Sequence, residues 1–351
     1  MRRGAIVTRC LLAPRSATCS ERLLSVFAAP TREMRPMTQR LVEGVLQGNR
    51  TALSRSITLV ESTLKSDEEQ AELLLDSVLT QRRSLRPAHV DPPELTSFRL
   101  GIAGPPDPSS SRSGGSILGD KTRMEKLSND PNAFVRPSPS RGTLGGVAQH
   151  TNEIVLLCES GGYDIILVES VGLGQSEIVI DDTVDMVMLL VSPAGGDDLQ
   201  GQKKGIVEIA DIVVVNKADG DLKGPAKHTA VDYMHAMHLM RRKDPDWEPK
   251  VKMISALEKK GIDNVWAIIE EYRKTMGELD KIAQKRNAQS SKWMWNQLNE
   301  QLMRSVSRSI TVRHKAEKMK KDLVHGFISP RSAAATVLEL FLKSQKEEPQ
   351  A

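Results

Sequence analysis

The most specific chemistry in the sequence is Asn216-Lys217-Ala218-Asp219, which directly follows the apolar run Ile212–Val215. Open α/β sheets place ligand loops at the carboxyl ends of their strands. An aspartate there accepts two hydrogen bonds from the N1–H and 2-amino group of guanine, a donor pair that adenine lacks. The Lys217 stem would cover the ring, and Asn216 would tie neighbouring loops together. A chance polar turn is the competing account, and the apolar run before the motif favours guanine. Ser255 and Ala256 end and follow the next apolar run, VKMIS at 251–255, where they would supplement the base contacts. Glu169 ends YDIILVE, with Gly172 three residues on. An acid at a strand end followed by such a glycine suits the ordering of Mg²⁺ or its water, with the glycine N–H offered to a γ-phosphate.

The phosphate side reads differently. Gly104-Pro105-Pro106 follows FRLGIA at 98–103 and begins like a phosphate loop, but Asp107 comes next. The pattern G-x-x-x-x-G-K-[ST], whose backbone N–H groups and lysine hold the phosphates, occurs nowhere in the 351 residues. GGSILGDKT at 114–122 mimics it with the wrong glycine-to-lysine spacing. The polar loop containing Asp107 and Asp120 has the residues to wrap a nucleotide and metal; by composition alone it reads as a Ser/Gly linker. In PAGGDDLQGQKKG at 193–205, Lys203 or Lys204 either neutralises developing phosphate charge or is simply solvated.

Five short apolar runs must position these residues: FRLGIA (98–103), YDIILVES (163–170), DMVMLLV (185–191), DIVVVNK (211–217) and VKMIS (251–255). Such runs, separated by helical stretches, predict buried parallel strands in an α/β sheet flanked by helices. Residues 38–88 read as helix, with Leu41, Val45, Leu53, Ile57 and Val60 at helical spacing and a second helix starting near Ser66. Leu73, Leu74, Val78 and Leu79 form its expected buried side. Pro87, Pro92 and Pro93 mark a linker. From residue 279 onward the chain reads as charged helix around KWMWNQL (292–298) and an apolar helix over 333–342. This tail is too thin for a core of its own and is expected to pack on the α/β domain or on a second copy. The expected domains are thus 38–97, an incomplete α/β domain over 98–278, and 279–351.

Residues 1–36 carry seven Arg, no Lys and two Glu, net +5, which leaves −1 for the rest of a chain whose formal charge is +4. The body is therefore near neutral, against a broad nucleic-acid-binding face. The Arg-rich N-terminus, with no acid before Glu21 and an apolar side of Leu11, Leu12, Leu23, Leu24, Val26 and Phe27, reads as a mitochondrial transit peptide. No apolar run is long enough to span a membrane. Of three cysteines only Cys158 would remain after cleavage; it sits in IVLLC and reads as a small core residue.

Taken in order, DPSS…SGGSILGDKTRM, RPSPSRGTLGGV, GYDIILVESVGLGQSE, PAGGDDLQGQKKGIVEIAD and NKADGD resemble the methylmalonic aciduria type A GTPases and their bacterial relatives MeaB and ArgK. The resemblance runs from about residue 38 to the C-terminus. It implies a P-loop GTPase fold with helical extensions, GTP/GDP and Mg²⁺, and a homodimer in the mitochondrial matrix. The implied activity is to escort methylmalonyl-CoA mutase, with GTP hydrolysis gating adenosylcobalamin transfer and protecting the mutase. By motif, Asn216, Lys217 and Asp219 would read guanine with Ser255 and Ala256, and Leu257 stands where arginine is frequent. Gly104, Pro105 and Pro106 would be the start of the phosphate loop, Asp107 and Asp120 would lie near the metal in switch I, Glu169 would open switch II, and 193–204 would be an extra switch. The departure is that the family continues GPPGAGKST, then a helix, then a strand ending just before DPSS. A segment on the order of 25–30 residues is missing between Pro106 and Asp107. Its loss implies an uncovered sheet face, an exposed edge or gap, and either poor folding or very weak GTP binding.

Overall fold

The computed structural model describes residues 33–84, 97–104, 125–136, 150–170, 177–193 and 204–347. The expected transit segment lies outside them, apart from its last residues. The chain divides into two compact units, 1–85 and 86–351.

Among the described residues the first unit has three helices where the sequence pattern suggests two: α1 (Pro36–Leu46), α2 (Arg50–Val60) and α3 (Lys65–Ser84). The extra break falls at Gly48, whose φ of 70° is left-handed and inexpensive only for glycine. Asn49 then caps α2, its side chain accepting from the Thr51 and Ala52 N–H groups at 2.9 and 3.0 Å. Val45, Leu53, Ile57, Leu74 and Val78 are buried, while Leu73 and Leu79 of the expected buried side are only half-buried.

In the second unit, β1 (Phe98–Ala103), β2 (Ile165–Glu169), β3 (Met186–Val191), β4 (Ile212–Val215) and β5 (Lys250–Met253) form one sheet in the order β2-β1-β3-β4-β5. Every pairing is parallel; Leu100 lies beside Leu167 on one side and Met186 on the other. The apolar runs of β1, β3 and β4 are continuous because these strands are covered on both faces. Side chains alternate between faces. Val187, Leu189, Val213 and Val215 belong to the first face, and Phe98, Leu100, Met186, Ile212 and Val214 to the second.

Between β1 and β2 lie α4 (Glu125–Asn129) and α5 (Thr151–Ser160); α6 (Glu177–Asp181) precedes β3, α7 (Lys204–Ile209) precedes β4, and α8 (Lys223–Leu239) precedes β5. Val155 of α5, Ile180 of α6, Ile206 and Val207 of α7, and Ala226, Ala230 and Tyr233 of α8 all pack on the first face. The second face is covered by α9 (Ile262–Glu278) through Val265, Ile268, Ile269, Tyr272 and Met276, with Trp247 and Ile282. Cys158 packs partly buried against the first-face core, and burial pushes its thiol up to about 12.

The tail forms α10 (Lys281–Arg308), α11 (Ile310–Val324) and α12 (Pro330–Glu347). The start of α10 docks on the N-terminal ends of the strands. Arg286 binds Asp185 at 2.5 and 2.7 Å and the Ser97 carbonyl at 2.9 Å. Gln289 donates to the Asp181 and Val184 carbonyls, and Trp293 to the Asp182 carbonyl. Further along, Gln297 donates to the Glu153 carboxylate of α5, while Met294, Leu298 and Leu302 remain exposed. Among the described residues, no helix is long and apolar enough to cross a membrane.

Candidate functional site

The candidate residues converge at the C-terminal edge of the sheet, and the strand register explains how. Asn216 N–H donates to Val191 O at 2.9 Å, Ile254 N–H to Val215 O at 2.8 Å, and Ala218 N–H to Ile254 O at 2.9 Å. The loops leaving β4 and β5 are thus laced together from their first residues. The Asn216 carboxamide continues the lacing: its Oδ1 accepts from Lys217 N–H at 2.8 Å and from Ala256 N–H at 3.1 Å. Lys217 sits at φ 59° with its side chain exposed. A lysine in this left-handed conformation is uncommon and marks a backbone held by its surroundings.

Ser255 is 2% exposed and links three elements. Its Oγ donates to Asp219 Oδ2 and accepts from Glu258 N–H at 3.0 Å, while its backbone pairs with Lys260 in both directions at 3.0 Å. The Asp219 carboxylate is therefore fixed in place yet keeps acceptor capacity, since an ionised carboxylate has about four lone-pair sites. Lys260, exposed beside Glu258 and near Asp219, has its ammonium pKa raised by these acids. Leu257 is 85% exposed and shares none of this network. The sequence reading missed Gly261, which follows this turn at φ 79° with a would-be Cβ 2.7 Å from Met253 O. A glycine between a polar turn and an apolar-periodic helix is the signal that marks it.

On the other half of the edge, Gly104 ends β1. A Cβ there would lie 2.8 Å from Leu190 O, so glycine lets β1 leave the sheet close against β3. Glu169 is exposed at the end of β2, and Ser170 is buried with its N–H on Ile102 O at 3.0 Å. The structure thus brings Gly104, Glu169, Asn216, Lys217, Asp219, Ser255 and Ala256 to one edge. Pro105, Pro106, Asp107, Asp120 and Lys203 lie outside the described residues; Lys204 starts α7, and its side chain is also outside them. Among the described residues there is no cluster of three metal-ligating side chains.

Comparison with known proteins gives this arrangement a context. The family model described as "Methylmalonyl Co-A mutase-associated GTPase MeaB" matches residues 102–311. The mouse protein named "Methylmalonic aciduria type A homolog, mitochondrial" is 43% identical over 329 residues, covering 86% of this chain and 79% of its own. A Caulobacter vibrioides "Putative GTPase" is 39% identical over 339 residues, covering 89% and 99%, and the Escherichia coli "GTPase ArgK" is 39% identical over 289, covering 73% and 82%. The crystal structure of a protein described as "LAO/AO transport system kinase" superposes with a TM-score of 0.63 at 28% identity, covering 89% of this chain and 100% of that one.

Proposed function

Because the chain belongs to the MeaB family of methylmalonyl-CoA mutase-associated GTPases, we propose that its C-terminal edge reads a guanine nucleotide, GTP or GDP, through Asp219. The observation that carries this reading is the web of Asn216, Ala256, Ser255 and Asp219, which presents a fixed carboxylate beside a loop already in its strained shape. Preorganisation of this kind removes the ordering cost from binding. Lys217 covers the base, and Ser255 and Ala256 frame it.

The wider role we assign is that of a GTP-dependent chaperone acting with methylmalonyl-CoA mutase. It gates adenosylcobalamin delivery and protects that enzyme, as a homodimer in the mitochondrial matrix. The family description supports the mutase, and the name of the mouse relative, together with the Arg-rich N-terminus, supports the compartment. Residues 279–351 are assigned to the dimer or partner surface, 38–97 to the helical arm and linker, and 98–278 to the nucleotide domain. Glu169, with Asp107 and Asp120, would hold Mg²⁺, whose contribution when bound is to neutralise charge on the phosphates; Lys203 or Lys204 would face the same charge.

The absence of G-x-x-x-x-G-K-[ST] favours a second reading for this particular chain, a non-catalytic form that keeps its mutase-binding or dimer surfaces. Two measurements separate the parts. Ligand-observed NMR with guanosine and adenosine at millimolar concentration should show guanosine alone binding, and D219A should abolish it; equal binding of both nucleosides would overturn the base-reading assignment. Calorimetry with GTP and Mg²⁺ should show no tight binding, and a tight, Mg²⁺-dependent affinity would overturn the weak-binding expectation.

A further inference from the structure

The turn from α11 to α12 carries side chains that its own fold does not need. Phe327 is 78% exposed and Val324 is 84% exposed. The chain has only five phenylalanines, and Phe98 and Phe341 are buried. The turn itself is a regular helix C-cap. Gly326 sits at φ 72°, its N–H donates to Leu323 O at 3.1 Å, and Phe327 N–H donates to Asp322 O at 2.9 Å. In this motif an apolar residue at the Phe327 position commonly packs back on the last turn of the helix. Here that turn offers Lys321 and Asp322. The ring stays out beside His325, with 5.9 Å between centroids. The backbone makes the cap, and the aromatic side chain is surplus to it.

The helix that leads to this turn supplies charge. α11 packs through Val312 and Met319. On its opposite side His314, Lys318, Lys321 and His325 recur at spacings of four, three and four, and all four are exposed. That spacing puts them in one line about 16 Å long. Residues 310–325 hold five Lys or Arg and two acids, net +3, in a body that sums to −1. Lys320 is matched by Glu317 at 2.5 Å, but the line itself contains no acid. A solvated helix face ordinarily mixes the two signs. Arg331, exposed at the start of α12, adds a cation on the far side of the turn.

Exposed apolar side chains at the end of a line of cations suit a partner that is anionic outside and apolar beneath. Lysine fits such a partner, because it is a mobile point charge and a headgroup layer has no fixed carboxylate fork for arginine to match. The four residues 324–327 are all exposed, and two apolar side chains are too few for the core of a stable protein interface.

We propose that the α11–α12 turn is a docking site for an anionic phospholipid surface, with Val324 and Phe327 entering the headgroup layer and Lys318 and Lys321 lying against its phosphates. The contact is peripheral: among the described residues no helix is long and apolar enough to cross a membrane. It uses none of the residues at the C-terminal edge of the sheet, and its readout is independent of nucleotide.

The test is sedimentation of the full chain with vesicles of phosphatidylcholine, either alone or with about 30% phosphatidylglycerol. The chain should pellet with the anionic vesicles at low ionic strength and stay in solution with the neutral ones. It should be released at about 1 M salt, where the screening length falls to about 3 Å. K318E combined with K321E should weaken binding by more than about twentyfold, since each lysine lost near an anionic surface is worth about fivefold. K318R combined with K321R should keep it. F327S should weaken it by about tenfold. All of these replace exposed side chains and should leave the circular dichroism unchanged. Binding that survives K318E with K321E would belong to the Arg-rich N-terminus and would overturn the proposal. Binding unchanged by F327S, or equal binding to neutral vesicles, would overturn it as well. No pelleting with anionic vesicles would overturn it in favour of an acidic protein surface. A change of sedimentation velocity in F327S without lipid would overturn it in favour of a second copy.

Discussion

At the N-terminal ends of β3 and β4 the sheet is anchored by buried charge; at the C-terminal ends of the same strands it is tied mostly by neutral hydrogen bonds. Below the sheet, Asp185 accepts from Arg99 N–H at 2.8 Å and from the Arg286 guanidinium, and Asp211 accepts from Val187 N–H at 2.8 Å and from Lys243. Glu159 takes Arg99 in bidentate fashion at 2.8 and 3.0 Å and Ser97 Oγ at 2.7 Å. Lys285 and Lys243 share Asp181. Above the sheet, Asp219 has a serine, and Lys217 holds a left-handed backbone. One end saturates its charges against each other and fixes the fold. Among the described residues, the other gives Asp219 a neutral partner and Lys217 no ion pair, which is what the proposed base-reading role requires.

The largest expected effect breaks the lower end. R286A leaves Asp185, 0% exposed, and Glu159, 6% exposed, without a cation that both face. Removing one partner of a buried ionic network costs about 3–5 kcal/mol, and it also releases α10 from Ser97. Urea denaturation should show a loss in this range. A loss no greater than that caused by D219A would erase the distinction between the two ends.

The acid limb of stability sharpens it. Burial opposes charge on Glu159, but the hydrogen bonds and charge of Arg99, with Arg286 and Ser97, hold its carboxyl below the usual range. Asp181 is lowered in the same way against burial, by Lys285 and Lys243. A folded value below the unfolded one means that the unfolded chain binds more protons as pH falls. This contribution is therefore fully present above about pH 4.3, the ordinary glutamate value, and is lost as pH drops through the folded value. E159Q should be destabilised most at neutral pH, with its deficit narrowing below about pH 4. A constant deficit from pH 7 to pH 3 would remove Glu159 from the acid response.

These two ends were not equally legible in the sequence. The strands were plain because a parallel strand buried on both faces is a continuous apolar run, and IVVV at 212–215 has no competing reading. Asn216, Lys217, Asp219 and Ser255 were legible because their motif is short and sits directly on strand ends. The lower network was not, because Arg286 and Asp185 lie 101 residues apart and α10 has the look of a solvated charged helix until its first turns meet the sheet. The break at Gly48 was hidden for a local reason: Val45 and Leu53 keep a spacing compatible with helix across a turn that only the glycine permits.

A smaller effect is expected from S255A. It removes one buried hydroxyl that joins Asp219 to Glu258 N–H, a net loss of about 1–2 kcal/mol with a charged acceptor. Thermal melting should fall by a few degrees, and guanosine binding should weaken, because Asp219 is no longer fixed. Unchanged guanosine binding would show that the serine serves the turn and not the carboxylate.

The smallest effect carries the opposite sign and tests the ligand end most directly. Lys217 at φ 59° holds a left-handed backbone that costs a non-glycine residue about 1–2 kcal/mol. Asn216 Oδ1 on its N–H and Ala218 N–H on Ile254 O keep it there. K217G relieves that strain but adds the backbone entropy of glycine, about 0.5–1 kcal/mol, so the net change should be a gain of about 0.5–1 kcal/mol. Guanosine binding should fall at the same time, because the stem proposed to cover the ring is gone. A ligand end that stores strain for its function gains stability when that function is removed. If K217G destabilises the chain instead, the left-handed turn at the end of β4 belongs to the fold, and the two ends of the sheet differ less than their chemistry indicates.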